Sequence, residues 1–393
     1  MRRPSMMLAA AFAGVLLLTA CGPSGEATES SAPEPTTPAP TPTATPDPVR
    51  DVVEARLEEL DLDARAASIL MLHAPGTDPA PLLALAELGV GGLILMGDNV
   101  PATPEELADL TAAVRGDAEL PLLIGIDEEG GIVQRLPWDT AASAEELRAQ
   151  PPSAAEAAFS ERAAFLDAAG VNVNFGIVAD VTDDPDSFIF ERVLGTDAAS
   201  AAERVAAAVA GERGTGERGT VASTLKHFPG HGAAPGDSHS SIPATDLTLD
   251  AWRAEVAPPF AAGIDAGAEL VMTGHLAYTS VDAAPASLSA AWHETLRSEL
   301  GFDGIVVTDD MLMLQHSGLA EFQDPVANAV RAVAAGSDLL LYVLPADPAD
   351  VGIDPAALAS GIADAVRDGR IDESRLDDAA RRVLTLRRTL ALD

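Results

Sequence analysis

The chain has 393 residues, which is enough for a targeting segment, a linker and a domain with a large buried core. Its formal net charge is -37 at pH 7, and a surface of that sign repels the phosphate backbone of nucleic acids. The single cysteine, Cys21, excludes a disulfide within one chain. We therefore expect no nucleic-acid partner, and we assign the acidity to solubility or salt adaptation.

The N-terminus has the pattern of a secretory signal peptide. Arg2 and Arg3 precede an apolar run at 6–18, which is shorter than the about 20 residues that a membrane-spanning helix needs. The small residues before Cys21 resemble the lipobox of bacterial lipoproteins, in which the cysteine becomes the lipidated N-terminus. The sequence therefore predicts a signal peptide over 1–20 and an extracytoplasmic protein held at the membrane by a lipid on Cys21. The alternative is an ordinary signal peptide with an incidental cysteine.

A linker rich in proline, threonine, serine and alanine is predicted over 21–48. This composition cannot build a packed core and is typical of an extended, disordered tether. The rest of the chain, from 49 to 393, is predicted to form one large domain.

Short apolar runs alternate with alanine-rich amphipathic stretches through that domain. Eight runs predict buried strands, at 68–72, 91–96, 121–126, 171–181, 220–227, 269–275, 304–310 and 338–343. Helices are predicted between them, including 103–115, 153–169, 198–213, 250–266 and 289–300. Apolar strands separated by helices indicate a parallel sheet covered on both faces, and eight strands close a (β/α)8 barrel of the TIM type. A doubly wound open sheet is the alternative.

Polar residues stand at the C-terminal ends of several runs. They are Asp127, Asp180, Lys226, His227, His275 and Asp309. Active sites of (β/α)8 barrels are built at that face, so we expect these side chains to border one site.

The segment LKHFPGHGAAPGDSHSSIP, at 225–243, holds three of the seven histidines and the only lysine, Lys226. A metal site made from His227, His231, His239 and Asp237 is one interpretation, although the proline and glycines of the segment disfavour a helical ligand motif. A second is structural, with histidines bonding loop backbone groups, and we assign His231 to that role. The third is general acid/base catalysis, in which Asp237 bonds one nitrogen of His239 and the other nitrogen faces a substrate.

The run KHFPGHG followed by DSH and IP resembles the signature of single-domain β-N-acetylhexosaminidases of glycoside hydrolase family 3. Three more segments resemble that family in the same order: GIDEEGGIVQRL at 125–136, ELGFDGIVVTDDMLM at 299–313 and GRIDESRLDDAARRVLTLR at 369–387. The resemblance covers nearly all of residues 49–393 and implies that they form the catalytic domain of a family 3 glycoside hydrolase.

The resemblance implies roles for particular residues. Asp309 matches the nucleophile, His239 the acid/base and Asp237 its partner. Five residues match positions that hold the sugar: Asp127, Arg135, Lys226, His227 and, in a segment that departs from the family pattern, Arg192. Ile132 stands where the family commonly has arginine, and Asp310 is expected to support the nucleophile.

The implied activity is retaining hydrolysis of terminal β-linked N-acetylglucosamine, and we expect peptidoglycan fragments as the substrate. No metal or organic cofactor is implied. The expected partners are a carbohydrate substrate and, through the lipid anchor only, the membrane, and we expect a monomer. Two alternatives stay open: a phosphorylase, since a histidine acid/base does not repel phosphate, and a sugar-capturing lipoprotein with two lobes around a hinge.

Overall fold

The computed structural model describes residues 47–214 and 221–392. The predicted signal peptide, Cys21 and the predicted linker up to residue 46 lie outside these ranges. In the described ranges the chain forms ten strands: β1 (Leu70–Leu72), β2 (Gly92–Leu95), β3 (Leu123–Ile126), β4 (Val173–Val178), β5 (Ala222–Phe228), β6 (Ala244–Thr245), β7 (Leu270–Thr273), β8 (Ala277–Tyr278), β9 (Ile305–Thr308) and β10 (Leu340–Tyr342).

Eight of these strands form one parallel sheet in the order β10-β1-β2-β3-β4-β5-β7-β9. A parallel bridge between Val307 and Leu339 brings the two outer strands together, and the Thr308 amide donates to the Leu339 carbonyl at 3.0 Å. The (β/α)8 barrel is therefore confirmed over the open sheet. Each of the eight predicted apolar runs overlaps one barrel strand, and every residue of these strands is buried, as expected for a sheet covered on both faces.

Helices occupy the connections between the strands. They are α1 (Pro48–Glu59), α2 (Leu62–Ala67), α3 (Pro79–Ala86), α4 (Pro104–Val114), α5 (Ala144–Leu147), α6 (Pro152–Ala168), α7 (Ala198–Arg213), α8 (Leu249–Glu255), α9 (Ala257–Asp265), α10 (Ala290–Glu294), α11 (Leu312–His316), α12 (Pro325–Ala335), α13 (Pro355–Arg367) and α14 (Glu373–Leu390). The Thr103 hydroxyl caps α4 by accepting from the Glu106 amide at 3.3 Å. None of the helices in the described ranges is long and apolar enough to cross a membrane.

Two predicted helices are each divided in the structure. The stretch predicted over 250–266 forms α8 and α9 with a break at Val256. Pro258 and Pro259 explain the break, because proline lacks an amide hydrogen and is tolerated in the first turn of a new helix. The stretch predicted over 289–300 begins as α10 and continues as a π-helical turn, Thr295–Glu299.

An aromatic cluster fixes the turn that follows β5. The Phe228 ring packs edge-on against Trp252, with 5.9 Å between the ring centroids. The Trp252 indole donates to the Pro229 carbonyl, and the Tyr278 hydroxyl donates to the Gly230 carbonyl, both at 2.7 Å. The turn is thus bonded to buried side chains on the outside of the barrel.

Only glycine fits at position 230. Its φ of +128° lies in the region that disfavours side chains. A Cβ there would lie 2.1 Å from the Val256 Cγ1 atom. The sharp turn at Gly230 leads the chain from β5 into the histidine-rich loop.

Candidate active site

A cavity of about 310 Å³ opens at the C-terminal ends of the barrel strands. Seven of the residues predicted for the site line it: Asp127, Arg135, Arg192, Lys226, His227, His239 and Asp309. The eighth, Asp237, is paired with His239. Residues from distant parts of the chain therefore border one cavity.

The barrel explains this convergence. Asp127 directly follows β3, Lys226 and His227 lie in β5, and Asp309 directly follows β9. Parallel strands end at the same face, so residues at their C-terminal ends meet there.

Lys226 lies between two carboxylates. Its Nζ atom is 2.8 Å from Oδ1 of Asp127 and 2.6 Å from Oε1 of Glu129. The lysine is 2% exposed, and an ammonium carries three N–H donors. One donor therefore has no acceptor among the described residues and is available to a ligand.

Arg135 is the second cation beside Asp127, and its Nη2 atom lies 3.4 Å from Oδ2 of Asp127. Burial alone would raise the pKa of Asp127, but Lys226 and Arg135 outweigh it and hold the pKa below its usual value. The Arg135 backbone is held in turn by Glu128, whose Oε2 accepts its amide at 2.8 Å. Asp127 is thus an anion held between two cations at the cavity wall.

Arg192 and Glu129 form a buried two-point ion pair. The guanidinium Nε and Nη2 atoms donate to the carboxylate at 2.9 and 2.7 Å. Burial would raise the pKa of Glu129, but Lys226 and Arg192 lower it, so the carboxylate is ionised at neutral pH. The same Nη2 lies 3.3 Å from Nε2 of His227. Glu129 thus links Lys226 of β5 to Arg192, which lies between β4 and α7.

Asp180 fixes His227 and the loop after it. Its Oδ2 is 2.8 Å from Nδ1 of His227, and its Oδ1 accepts the His231 amide at 2.5 Å. Asp180 is fully buried; burial would raise its pKa, but His227 and its other donors lower it. An ionised Asp180 requires a proton on Nδ1 of His227, which leaves Nε2 facing Arg192 and the cavity.

The adjacent carboxylates Asp309 and Asp310 have different environments. Oδ1 of Asp309 accepts the Asp310 amide at 2.8 Å, and its Oδ2 has no hydrogen-bond partner in the described residues. Burial would raise the pKa of Asp309, but His227 and His275 lower it below the usual value. Oδ1 of Asp310 instead accepts the amides of Leu312 and Val343, and burial raises its pKa to about 7.

His239 and Asp237 form an exposed pair beside the cavity. Nδ1 of His239 lies 2.7 Å from Oδ1 of Asp237, which also accepts the His239 amide at 2.9 Å. The two side chains are 62% and 46% exposed. Burial would raise the pKa of Asp237, but the hydrogen bonds from His239 outweigh it and lower the pKa below its usual value. Because Nδ1 is bonded to Asp237, Nε2 is the ring nitrogen of His239 that has no hydrogen-bond partner among the described residues.

The described residues contain no group of three or more histidine, cysteine, aspartate or glutamate side chains arranged to hold a metal ion. His227 bonds Asp180, His231 bonds Ser238 and His239 bonds Asp237. The three imidazole rings therefore bond three different side chains.

Glu129 and Phe188 belong to the site but were not predicted from the sequence. Glu129 is the third residue of the DEEGG segment, and only its contacts with distant Arg192 and Lys226 reveal its part. The Phe188 ring lines the cavity and lies 5.6 Å from the His239 ring. Asp180 had a signal, its place at a strand end, although the sequence assigned it no role.

Residues 67–386 match the model of the glycosyl hydrolase family 3 N-terminal domain. The chain belongs to glycosyl hydrolase family 3.

Three similar proteins illustrate the membership. A secreted glycosyl hydrolase of Arthroderma benhamiae, without an assigned activity, is 32% identical over 84% of this chain and 95% of its own. A β-hexosaminidase of Xanthomonas oryzae pv. oryzae is 35% identical over 65% of this chain and 77% of its own. The structure of a family 3 β-N-acetylglucosaminidase from Paenibacillus sp. FPU-7 aligns with a TM-score of 0.76 and 33% identity, over 84% of this chain and 63% of that chain.

Proposed function

We propose that the chain is a retaining β-N-acetylglucosaminidase that removes terminal N-acetylglucosamine from glycans. The observation that carries this proposal is that Asp309 and His239 line the same cavity. Retaining cleavage needs a carboxylate nucleophile and a second group that gives and takes a proton, both facing the glycosidic bond. The names of the Xanthomonas and Paenibacillus proteins support the substrate class.

Asp309 is the proposed nucleophile. Its depressed pKa keeps it ionised, and its Oδ2 has no partner among the described residues. Asp310 is less suited because Oδ1 is taken by two backbone amides and its pKa is raised to about 7 by burial. Attack of Oδ2 on the anomeric carbon forms the glycosyl–enzyme ester and releases the leaving oxygen.

His239 is the proposed acid/base. Asp237, 2.7 Å from Nδ1, stabilises the protonated ring, and Nε2–H donates its proton to the leaving oxygen. In the second step neutral Nε2 takes a proton from water, whose oxygen attacks the anomeric carbon. The ester bond to Asp309 breaks, and both groups return to their starting states.

The charged wall is the proposed sugar-binding surface. Asp127, Arg135, Lys226, Arg192 and His227 present acceptors and donors to the cavity, and the sugar offers hydroxyls and an acetamido group. The Glu129 carboxylate holds Lys226 and Arg192 in place, so these donors are oriented before the substrate binds.

The location and source of the substrate extend the proposal. A lipid on Cys21 would hold the enzyme outside the cytoplasmic membrane, where cell-wall fragments are a source of N-acetylglucosamine. The name of the secreted Arthroderma relative supports a location outside the cytoplasm. We propose peptidoglycan fragments as the natural substrate.

Phosphorolysis is the second candidate. The observation that favours it is that the acid/base is an imidazole, which does not add a negative charge beside an incoming phosphate. The sugar-capture alternative predicts two lobes, whereas residues 47–214 and 221–392 contain one eight-stranded barrel.

A panel of chromogenic β-glycosides with and without the 2-acetamido group tests the proposal. We expect turnover of the 2-acetamido glucoside with the β-anomer as first product by NMR, and almost none with Asp309→Asn. Runs with inorganic phosphate show whether a sugar phosphate replaces the free sugar. Equal turnover of the plain glucoside contradicts the substrate class, and an α-anomer as first product contradicts retention.

A further inference from the structure

The loop that carries the Asp237–His239 pair is exposed on both sides of a buried residue. The side chains of Asp237 and His239 are 46% and 62% exposed, whereas Ser238 between them is 3% exposed. The Ser238 hydroxyl lies 3.1 Å from Nε2 of His231. The centre of the loop is thus bonded to an imidazole inside the protein.

Among the described residues, the His231–Ser238 contact is the only hydrogen bond that joins residues 237–241 to another segment; the His239 ring also packs against Phe188. The other hydrogen bonds of residues 237–241 stay within the segment: His239 and Ser240 bond back to Asp237, and the Ser241 hydroxyl donates to the Asp237 carbonyl at 2.7 Å. Without the bond to His231, no hydrogen bond would join the Asp237–His239 pair to another segment of the described residues.

His231 itself is firmly placed. It is 2% exposed, and its amide donates to Oδ1 of Asp180 at 2.5 Å. Its ring lies 5.9 Å from the His227 ring and 5.5 Å from the Phe188 ring. The same Asp180 carboxylate bonds Nδ1 of His227 at 2.8 Å, so one buried group holds both a sugar-binding residue and the anchor of the loop.

We propose that His231 is a positioning residue, which sets the Asp237–His239 pair at the cavity through its hydrogen bond to Ser238. This inference rests on the proposed function, in which His239 transfers the proton. It gives His231 a part in the reaction that its flanking glycines do not suggest. A misplacement of about 1 Å at a reacting group can cost about 10²-fold in rate, so a loose loop weakens acid catalysis although His239 is still present.

The two serines on either side of His239 provide the test and its control. Ser238→Ala removes the buried hydroxyl, whereas Ser240→Ala removes an exposed one with no hydrogen-bond partner in the described residues. The measurement is kcat/KM for aryl N-acetylglucosaminides with leaving groups of graded pKa. We expect Ser238→Ala to slow the poorest leaving group by about 10-fold or more and the best one by less than about twofold. Ser240→Ala should follow the wild type.

A double-mutant cycle adds His231→Asn. If the bond is the cause, the double variant loses little more than the larger single loss, because either change breaks the same link. Equal leaving-group slopes for Ser238→Ala and Ser240→Ala overturn the inference, as do additive losses in the cycle. Urea unfolding of each variant measures its stability separately, because a loss of stability alone does not change the leaving-group slope.

His239→Ala in the same assay separates this inference from the proposed function. If its slope equals that of the wild type, the proposed acid/base is wrong. If its slope is steeper while that of Ser238→Ala is unchanged, the proposed function stands and the positioning role of His231 is refuted.

Discussion

Glu129→Gln removes the carboxylate that pairs with Lys226 and Arg192 of the charged wall. The Glu129 side chain is 3% exposed and contacts Lys226, 2% exposed, and Arg192, 8% exposed. Glutamine keeps the shape but loses the charge, and one of its two terminal atoms is an NH₂ group that faces a cation instead of bonding it. The variant therefore leaves two buried cations with one carboxylate fewer.

The structure sets the expected size of the effect. Breaking a buried ion pair by removing one partner costs about 3–5 kcal/mol. With about 2 °C per kcal/mol in a large domain, the unfolding midpoint should fall by at least about 6 °C. The kcat/KM for an N-acetylglucosaminide should also fall, since Lys226 and Arg192 lose their orientation.

Glu299→Gln is the matched control. Glu299 forms the same two-point pair with Arg253, at 2.8 and 2.7 Å, but the side chains are 36% and 43% exposed. We expect no resolved shift of the midpoint and no change in kcat/KM. Equal shifts for the two variants in calorimetry would refute the argument that burial makes the Glu129 contacts strong.

The difference in stability between wild type and Glu129→Gln should depend on pH, and its direction follows from the pKa of Glu129. The folded-state pKa of Glu129 lies below its ordinary value of 4.5, because the two cations outweigh burial. Its contribution to the free energy of unfolding is therefore complete above that value and is lost as pH falls through the folded pKa. The difference in stability between wild type and Glu129→Gln should persist at pH 7 and shrink in the acidic range.

Three further predictions concern separate residues. Asp310→Asn should keep turnover much closer to wild type than Asp309→Asn does, because an amide oxygen can accept from the same two backbone amides; steady-state kinetics that rank the two variants in the opposite order contradict this. Asp180→Asn should raise KM by about tenfold, since a charge-assisted hydrogen bond to His227 is worth about 1.5–3 kcal/mol and the amide weakens it; an unchanged KM counts against the role of Asp180. Cys21→Ala should move the protein from the membrane fraction to the soluble fraction with its activity intact, and unchanged retention on fractionation argues against the anchor.

The fold could be predicted from local patterns in the sequence. The eight apolar runs lack polar alternation, which indicates strands that are buried on both faces of a sheet. Together with the helices predicted between them, they indicate the barrel. The interruption at Val256 had a visible cause in Pro258 and Pro259. The π-helical turn of Thr295–Glu299 had no such local signal.

The site could be predicted only in part. The meeting of Asp127, Lys226 and Asp309 at one face of the barrel can be predicted because each stands at a strand end. The contacts of Glu129 with Arg192, and of His231 with Ser238, depend on how loops fold over the barrel. Spacing in the chain does not encode those contacts, so Glu129 was missed and His231 was assigned to the loop backbone.

The central claim is that Asp309 forms a covalent bond with the sugar. The direct measurement is mass spectrometry of peptides from enzyme treated with a 5-fluoro-N-acetylglucosaminyl donor, whose glycosyl–enzyme breaks down slowly. We expect stoichiometric label on Asp309 and none on the Asp309→Asn variant. Label on Asp310, or an unlabelled enzyme that turns over its substrate with inversion, would contradict it.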